Sequence, residues 1–373
     1  MSLLRLAFVP LLLGACSSGD AVVQAQTADR PFLVEDVARF NEPWAMTFLP
    51  DGSALVTERR GRLLLWRRDR TAIAVAGVPA VSYGGQGGLG DVVLHPGFAA
   101  NRIVYLSFVE AGENGIRGAA VGRGRLTFEG GEARLYGFAV IWRQQPKVEG
   151  GGHFSHRIAF GPDGLLYISS GERQKFDPAQ DMAANLGKVV RLNDDGSPAA
   201  GNPFAGRGGV TDQIWTLGHR NLLGLAFAPD GNLWEVEMGP QGGDELNLIQ
   251  RGRNYGWPRA SNGSHYDNRD IPNHTPGDGF EPPKVWWNPS ISPSSLMIYS
   301  GAMFPAWRGD ALIGALSGEA LIRVDIDGTS ARKADQWAMA ARIREVEQAA
   351  DGSVYLLTDG DSGGRMLRLT PRR

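Results

Sequence analysis

The chain has 373 residues, of which 42% are hydrophobic and 21% charged, a balance that suits a soluble globular protein with a substantial core. Its 51 glycines and 22 prolines argue against long helices and for many short strands joined by tight turns. A net charge of −2, with Lys and Arg scattered along the chain, gives no electrostatic footprint for nucleic acid or for an acidic membrane surface.

Residues 1–15 read as a lipoprotein signal peptide. Arg5 precedes an apolar stretch, Leu6 to Leu13, too short to span a bilayer but suited to the core of a secretory leader. It ends in Leu13-Gly14-Ala15-Cys16, which resembles a bacterial lipobox. Cys16 is the sole cysteine, so no internal disulfide is available and a lipid anchor is its expected use. Residues 16–30 read as a flexible tether. The expected location is the bacterial envelope, at the periplasmic face of the outer membrane, touching the membrane only through the lipid on Cys16.

From residue 31 to 373 one pattern recurs: an apolar residue, a turn built on Pro, Asp and Gly, then a run of β-formers. It appears at Phe48 to Gly52, Phe160 to Gly164, Phe227 to Gly231 and Ala350 to Gly352. Looser copies lie at His95-Pro96-Gly97-Phe98 and Arg308-Gly309-Asp310. Pro presets one turn dihedral, and Asp-Gly tolerates the positive φ of a tight hairpin. Six hairpins, roughly one per 60 residues, predict an all-β fold: a six-bladed β-propeller of four-stranded antiparallel blades. The Pro- and Asn-rich stretch 262–293 reads as an insertion loop over one face.

Chemistry-bearing residues concentrate outside the repeat. Gly150-Gly151-Gly152-His153 precedes a strand, and Ser170-Gly171-Glu172 ends its neighbour, so a carboxylate can return beside an imidazole and fix its tautomer. Gly218-His219-Arg220-Asn221 follows. The segment Glu237 to Glu245 contains Gly239-Pro240 and two carboxylates, an oxygen-rich setting of the kind Ca²⁺ prefers. Arg342-Ile343-Arg344 puts two guanidiniums on one strand face and suggests an anionic ligand.

With Gly85-Gln86-Gly87-Gly88-Leu89 and Asn254-Tyr255-Gly256-Trp257-Pro258, these segments fall in an order that resembles the soluble quinoprotein sugar dehydrogenases. That family, which includes soluble glucose dehydrogenase and the aldose sugar dehydrogenases, consists of six-bladed propellers using pyrroloquinoline quinone (PQQ) and Ca²⁺. The resemblance implies oxidation of an aldose at its anomeric carbon to the lactone, with electrons passing on to an envelope acceptor. It implies His153 as general base, Glu172 as its orienting carboxylate and Arg220 against the quinone. Gln86, Arg220, Asn221, Arg342 and Arg344 would hold the cofactor. The carbonyls of Gly239 and Pro240 would bind the catalytic Ca²⁺, while Asp244, Glu245 and Tyr255 would support a second calcium region. Trp286 or Trp287 would cover the cofactor plane.

Three departures from the family pattern stand out. Ser317 occupies the position of a cofactor-binding Lys, Glu172 replaces an Asp, and Leu222-Leu223 replaces a Pro-Gln pair. Two rival functions fit the same scaffold: a Ca²⁺-dependent lactonase, and a non-enzymatic sugar-binding propeller that has lost its cofactor.

Overall fold

The computed structural model describes residues 30–360 and 363–372; the leader, Cys16 and nearly all of the tether lie outside the described residues. The turns come first, because they set the repeat. In four of them the glycine (Gly52, Gly164, Gly231, Gly352) sits at φ between 77° and 88°, donating its N–H three residues back. In each of these turns the Asp Oδ1 accepts the backbone N–H two residues on, at 2.9 to 3.1 Å. The same turn chemistry produces the same hairpin four times over.

Each hairpin opens a four-stranded antiparallel blade. Blade 1 comprises Pro43–Phe48, Ala54–Glu58, Arg62–Trp66 and Ile73–Ala76. Blade 2 comprises Leu89–Leu94, Ile103–Ala111, Arg117–Glu129 and Glu132–Arg143. Blade 3 comprises Ser155–Phe160, Leu166–Ser170, Lys188–Leu192 and Ile214–Leu217. Blade 4 comprises Asn221–Phe227, Leu233–Met238, Asp244–Ile249 and Val285–Trp287. Blade 5 comprises Pro293–Ile298, Ala311–Ala315, Ala320–Asp327 and Ser330–Ala338. Blade 6 comprises Ile343–Gln348, Val354–Thr358 and Gly364–Pro371, with Phe32–Phe40 from the start of the described chain as its outer strand. That last pairing closes the six-bladed ring and leaves no gap between the two ends of the propeller.

Two details depart from the sequence reading. The outer strands of blades 1 and 2 pair in parallel through Val75 and Ala133, joining those two blades into one sheet. Within the stretch 262–293 the segment Val285–Trp287 is the outer strand of blade 4, so only part of that stretch is loop. Between blades, leucines, valines and tryptophans pack face to face, Trp234 and Trp337 almost wholly buried among them. Truncating a buried leucine in such a layer costs about 2–5 kcal/mol.

The innermost strand of every blade breaks register near its start: Pro43/Met46, Leu89/Val92, Ser155/Ile158, Leu222/Gly224, Pro293/Ser295 and Ile343/Glu345. A bulge re-aims the side chains it contains. Repeated six times at one end of the channel, it turns Trp44, His156, Leu223 and Arg344 into a common cavity.

One bulge residue binds the ring together. The Arg157 guanidinium, in blade 3 and 5% exposed, lies 4.1 Å from the Trp44 ring centroid of blade 1. It reaches Asp91 of blade 2 at 3.4 Å and donates to the Leu223 carbonyl of blade 4 at 2.7 Å. It also donates to the Ser294 carbonyl of blade 5 at 2.6 Å and to Glu345 of blade 6 at 2.5 Å. A single side chain therefore touches all five other blades. It lines a lower cavity of about 170 Å³ and closes the channel beneath the upper one.

Candidate active site

The upper cavity, about 250 Å³, is walled by the bulges and by the loops that leave the second strand of several blades. His153, 4% exposed, stands at the entrance to the inner strand of blade 3. Its Nδ1 is hydrogen-bonded to Glu172 Oε1. The other oxygen, Glu172 Oε2, accepts the backbone N–H groups of Lys175 and Phe176 at 2.6 and 2.7 Å. The carboxylate is thus fixed at both ends, and Nε2 is the ring nitrogen left without a protein partner among the described residues. Gln86 holds the backbone beneath: its Oε1 accepts the His153 N–H at 2.7 Å, and its side chain lines the cavity.

Burial pushes the His153 pKa below its ordinary value, and the charges of Arg220 and Arg173 act in the same direction against the upward pull of Glu172. For Glu172, burial acts upward, but the bond to His153 and the two backbone N–H groups outweigh it and lower the pKa. The result is a neutral imidazole beside an ionised carboxylate.

The backbone here is strained. His153, Ser155 and His156 have φ of 49°, 57° and 70°, and Arg173, Gln174 and Phe176 have φ of 63°, 58° and 62°. Left-handed conformations in non-glycine residues cost on the order of 1–3 kcal/mol each and persist where surrounding contacts over-determine them. Both strained runs flank the His153–Glu172 pair.

Arg342 and Arg344 face the cavity together and share Asp359. Arg342 Nε donates to Oδ2 at 3.0 Å, while Arg344 Nε and Nη2 donate to Oδ1 at 3.1 and 3.0 Å. Asn221 lies one layer below: Oδ1 accepts the Ser155 hydroxyl at 3.1 Å, and Nδ2 contacts the Met238 sulfur at 3.7 Å. Arg220 sits on the other side of Met238. Its Nη1 donates to the carbonyls of Met238 and Gly239 at 2.9 and 2.5 Å, and its Nη2 to the Tyr266 hydroxyl at 3.2 Å. The Arg220 carbonyl accepts the Glu172 N–H at 2.9 Å, which ties it to the His153 pair.

The candidate metal residues divide. Gly239, Glu245 and Tyr255 line a narrow cleft next to Arg220, and Pro240 adjoins it in the chain. Glu235, Glu237 and Glu245 converge there on Asn247 Nδ2, at 3.2, 3.3 and 3.4 Å. Burial, then the Glu237 charge, pushes the pKa values of Glu235 and Glu245 well above the carboxylate range. Asp244 behaves differently: it accepts from Gly239 N–H at 2.8 Å, the Ser290 hydroxyl at 2.6 Å, and the Ile291 and Ser292 N–H groups at 2.7 and 2.8 Å. Those four bonds make its carboxylate a clamp between two loops. The Tyr255 hydroxyl likewise donates to the Leu248 carbonyl at 2.6 Å, so any ligand from that residue would be its backbone.

Strand alternation leaves Trp286 49% exposed and buries Trp287 at 5% in the core between blades 4 and 5, and neither lines the cavity. The tryptophan in the cavity is Trp44, stacked on His156 with centroids 5.2 Å apart. Ser317 is exposed at the rim, donating to the Ser292 hydroxyl at 2.8 Å. Trp44, Arg59, His156 and Asp359 were not singled out from the sequence. Their signal lies in the repeat itself, since Arg59, Glu172, Gly239 and Asp359 all follow the second strand of a blade.

As a receptor the cavity has an excess of positive charge, with Arg59, Arg342 and Arg344 facing one carboxylate, Asp359. Two buried guanidinium nitrogens, Arg59 Nε and Arg220 Nε, have no hydrogen-bond partner among the described residues. A flat, polycarboxylate ligand such as PQQ fits that donor set, and the acid-rich cleft beside the Gly239 carbonyl suits a hard cation.

Comparison with known proteins agrees with this geometry. The model of the Glucose / Sorbosone dehydrogenase family matches residues 40–368. The chain is 40% identical over 342 residues to the aldose sugar dehydrogenase YliI of Escherichia coli (strain K12), covering 90% of this chain and 91% of that one. It is 28% identical over 408 residues to quinoprotein glucose dehydrogenase B of Acinetobacter calcoaceticus, covering 87% and 84%. It superposes with a TM-score of 0.74, at 30% identity and over 91% and 98% of the two chains, on the PQQ-bound form of an aldose sugar dehydrogenase from Streptomyces coelicolor. Matched by that family model over residues 40–368 and 40% identical to a relative across 90% of its length, the chain belongs to the glucose/sorbosone dehydrogenase family.

Proposed function

We propose that the protein is a PQQ- and calcium-dependent dehydrogenase that oxidises an aldose at its anomeric carbon to the lactone. The observation that carries this reading is the His153–Glu172 pair, a neutral imidazole with one nitrogen fixed by a carboxylate and the other without a protein partner among the described residues, next in the chain to Phe154, Ser155 and His156, which line the cationic cavity. When bound, PQQ would supply the hydride acceptor, polarised by Ca²⁺. His153 Nε2 takes the proton of the anomeric hydroxyl, and Glu172 stabilises the imidazolium that forms. Arg342, Arg344, Gln86 and Asn221 would hold the cofactor, and Arg220 would face the negative charge that builds on it. The Gly239 and Pro240 carbonyls would hold the catalytic Ca²⁺, with Glu245 and the Tyr255 backbone at a second calcium region.

Reconstitution tests the reading. Purified apoprotein should gain dye-linked aldose oxidation only with PQQ and Ca²⁺ together; lactone hydrolysis with Ca²⁺ alone would replace it with the lactonase. His153→Ala should lower turnover about 10²–10⁴-fold, the usual contribution of a positioned general base, while still binding quinone. We further propose that Cys16 carries a lipid that holds the enzyme at the envelope, where it passes electrons to an acceptor. Cys16→Ser should move it from the membrane fraction to the soluble one.

A further inference from the structure

Three guanidiniums face the upper cavity, and they are not equally occupied. Arg342 and Arg344 are bonded to Asp359. Arg59 leaves blade 1 immediately after its second strand, and its backbone is pinned on both sides. Its N–H donates to the Glu42 carbonyl at 3.0 Å and its carbonyl accepts from Leu89 at 2.9 Å. Its side chain makes no hydrogen bond among the described residues. Nε is buried without a partner, and Nη2 comes only within 3.6 Å of Glu42. Glu42 does not need it, for that carboxylate is bonded by Arg60 at 2.9 Å and by the Tyr83 hydroxyl at 2.8 Å. The side chain is 19% exposed, but its buried Nε is held in place without an acceptor among the described residues, which is expensive unless a ligand completes it.

We propose that Arg59 is a cofactor-binding residue, the third cationic anchor for the carboxylates of the quinone, beside the pair formed by Arg342 and Arg344 on the neighbouring blade 6. The inference rests on the quinone reading above. Asp359, a single carboxylate, already serves two arginines, so a ligand bearing more than one carboxylate is the chemistry that would satisfy all three.

The test is PQQ binding to apoprotein in excess Ca²⁺, read from quenching of tryptophan fluorescence and from quinone absorbance retained after gel filtration. Arg59→Gln should weaken PQQ about 10–100-fold, the scale of a hydrogen bond to a charged group, and flatten the salt dependence of binding. It should melt with the wild-type apoprotein, because Glu42 keeps Arg60 and Tyr83. Arg59→Lys, which keeps the charge but not the fork, should recover the wild-type salt dependence and part of the affinity. If Arg59→Gln binds PQQ like wild type while Arg344→Gln binds weakly, the inference falls and the quinone reading stands. A lysine variant as weak as the glutamine one also overturns it, since charge would not be what matters. If wild type itself binds no PQQ, both fall together.

Discussion

The channel holds arginines at two depths, and they differ in how their donors are used. Arg157, at the lower level, has bonds from Nε and both terminal nitrogens spread over four blades, with an aromatic ring against its face. At the upper level Arg342 and Arg344 share one carboxylate, Asp359, and Arg59 Nε is buried without a hydrogen-bond partner among the described residues. The chemistry of the side chain is the same. What separates scaffold from receptor is whether the protein supplies enough acceptors, and the six bulges that expose one set while sealing the other decide that.

The largest effect is expected where the bonds are complete. Arg157→Met would leave Asp91 and Glu345 buried without their cation, and breaking a buried pair by removing one partner typically costs about 3–5 kcal/mol. Arg342→Gln removes a side chain 47% exposed, and a pair this exposed contributes about 0–1 kcal/mol. Urea unfolding of the two apoproteins compares them directly. Equal midpoints would erase the distinction between the two levels.

At the upper level the loss should appear in binding. Arg344→Gln breaks a two-bond contact to Asp359 and, in the proposed complex, a contact to a ligand carboxylate; a hydrogen bond between charged groups contributes about 1.5–3 kcal/mol. PQQ affinity should fall by that amount, with little change in apoprotein melting. A variant that melts much lower but binds quinone normally would move Arg344 to the scaffold class.

What the sequence disclosed, and what it hid, follows the range of the interactions. The Asp-Gly turns were legible because each is closed by bonds within five residues, and so was the hairpin that returns Glu172 to His153. The segment Gly150 to Arg157 stood out for its glycines, yet Arg157 gave no sign of its role. Its partners come from five other blades, and only ring closure assembles them. Arg59 and Asp359 went unread for a related reason: their meaning comes from occupying the same place in the blade as Glu172 and Gly239. Trp287 was a candidate until strand alternation put it in the core, whereas Trp44, in an ordinary-looking inner strand, was turned into the cavity by a bulge.

The two histidines of that segment extend the comparison to pH. His156 is wholly buried, its Nδ1 bonded to Ser107 at 2.7 Å, and burial, reinforced by Arg157, lowers its pKa to about 3. In the unfolded chain it would titrate near 6.5. Between those values the unfolded state binds a proton that the folded state refuses, so stability falls as pH drops below about 6.5, by up to about 1.4 kcal/mol per pH unit for one proton. His156→Gln should flatten that slope in urea unfolding between pH 6 and pH 4 by about one proton. His153 gives the smaller and different signal. It must be neutral to act as a base, and burial lowers its pKa, so the acid limb of kcat/KM should lie below the ordinary histidine value. Glu172 is what pulls it upward, and Glu172→Gln should therefore move that limb further to the acid side even as turnover falls. A limb that moves toward neutral pH instead would mean that the group titrating in catalysis is not the imidazole held by Glu172.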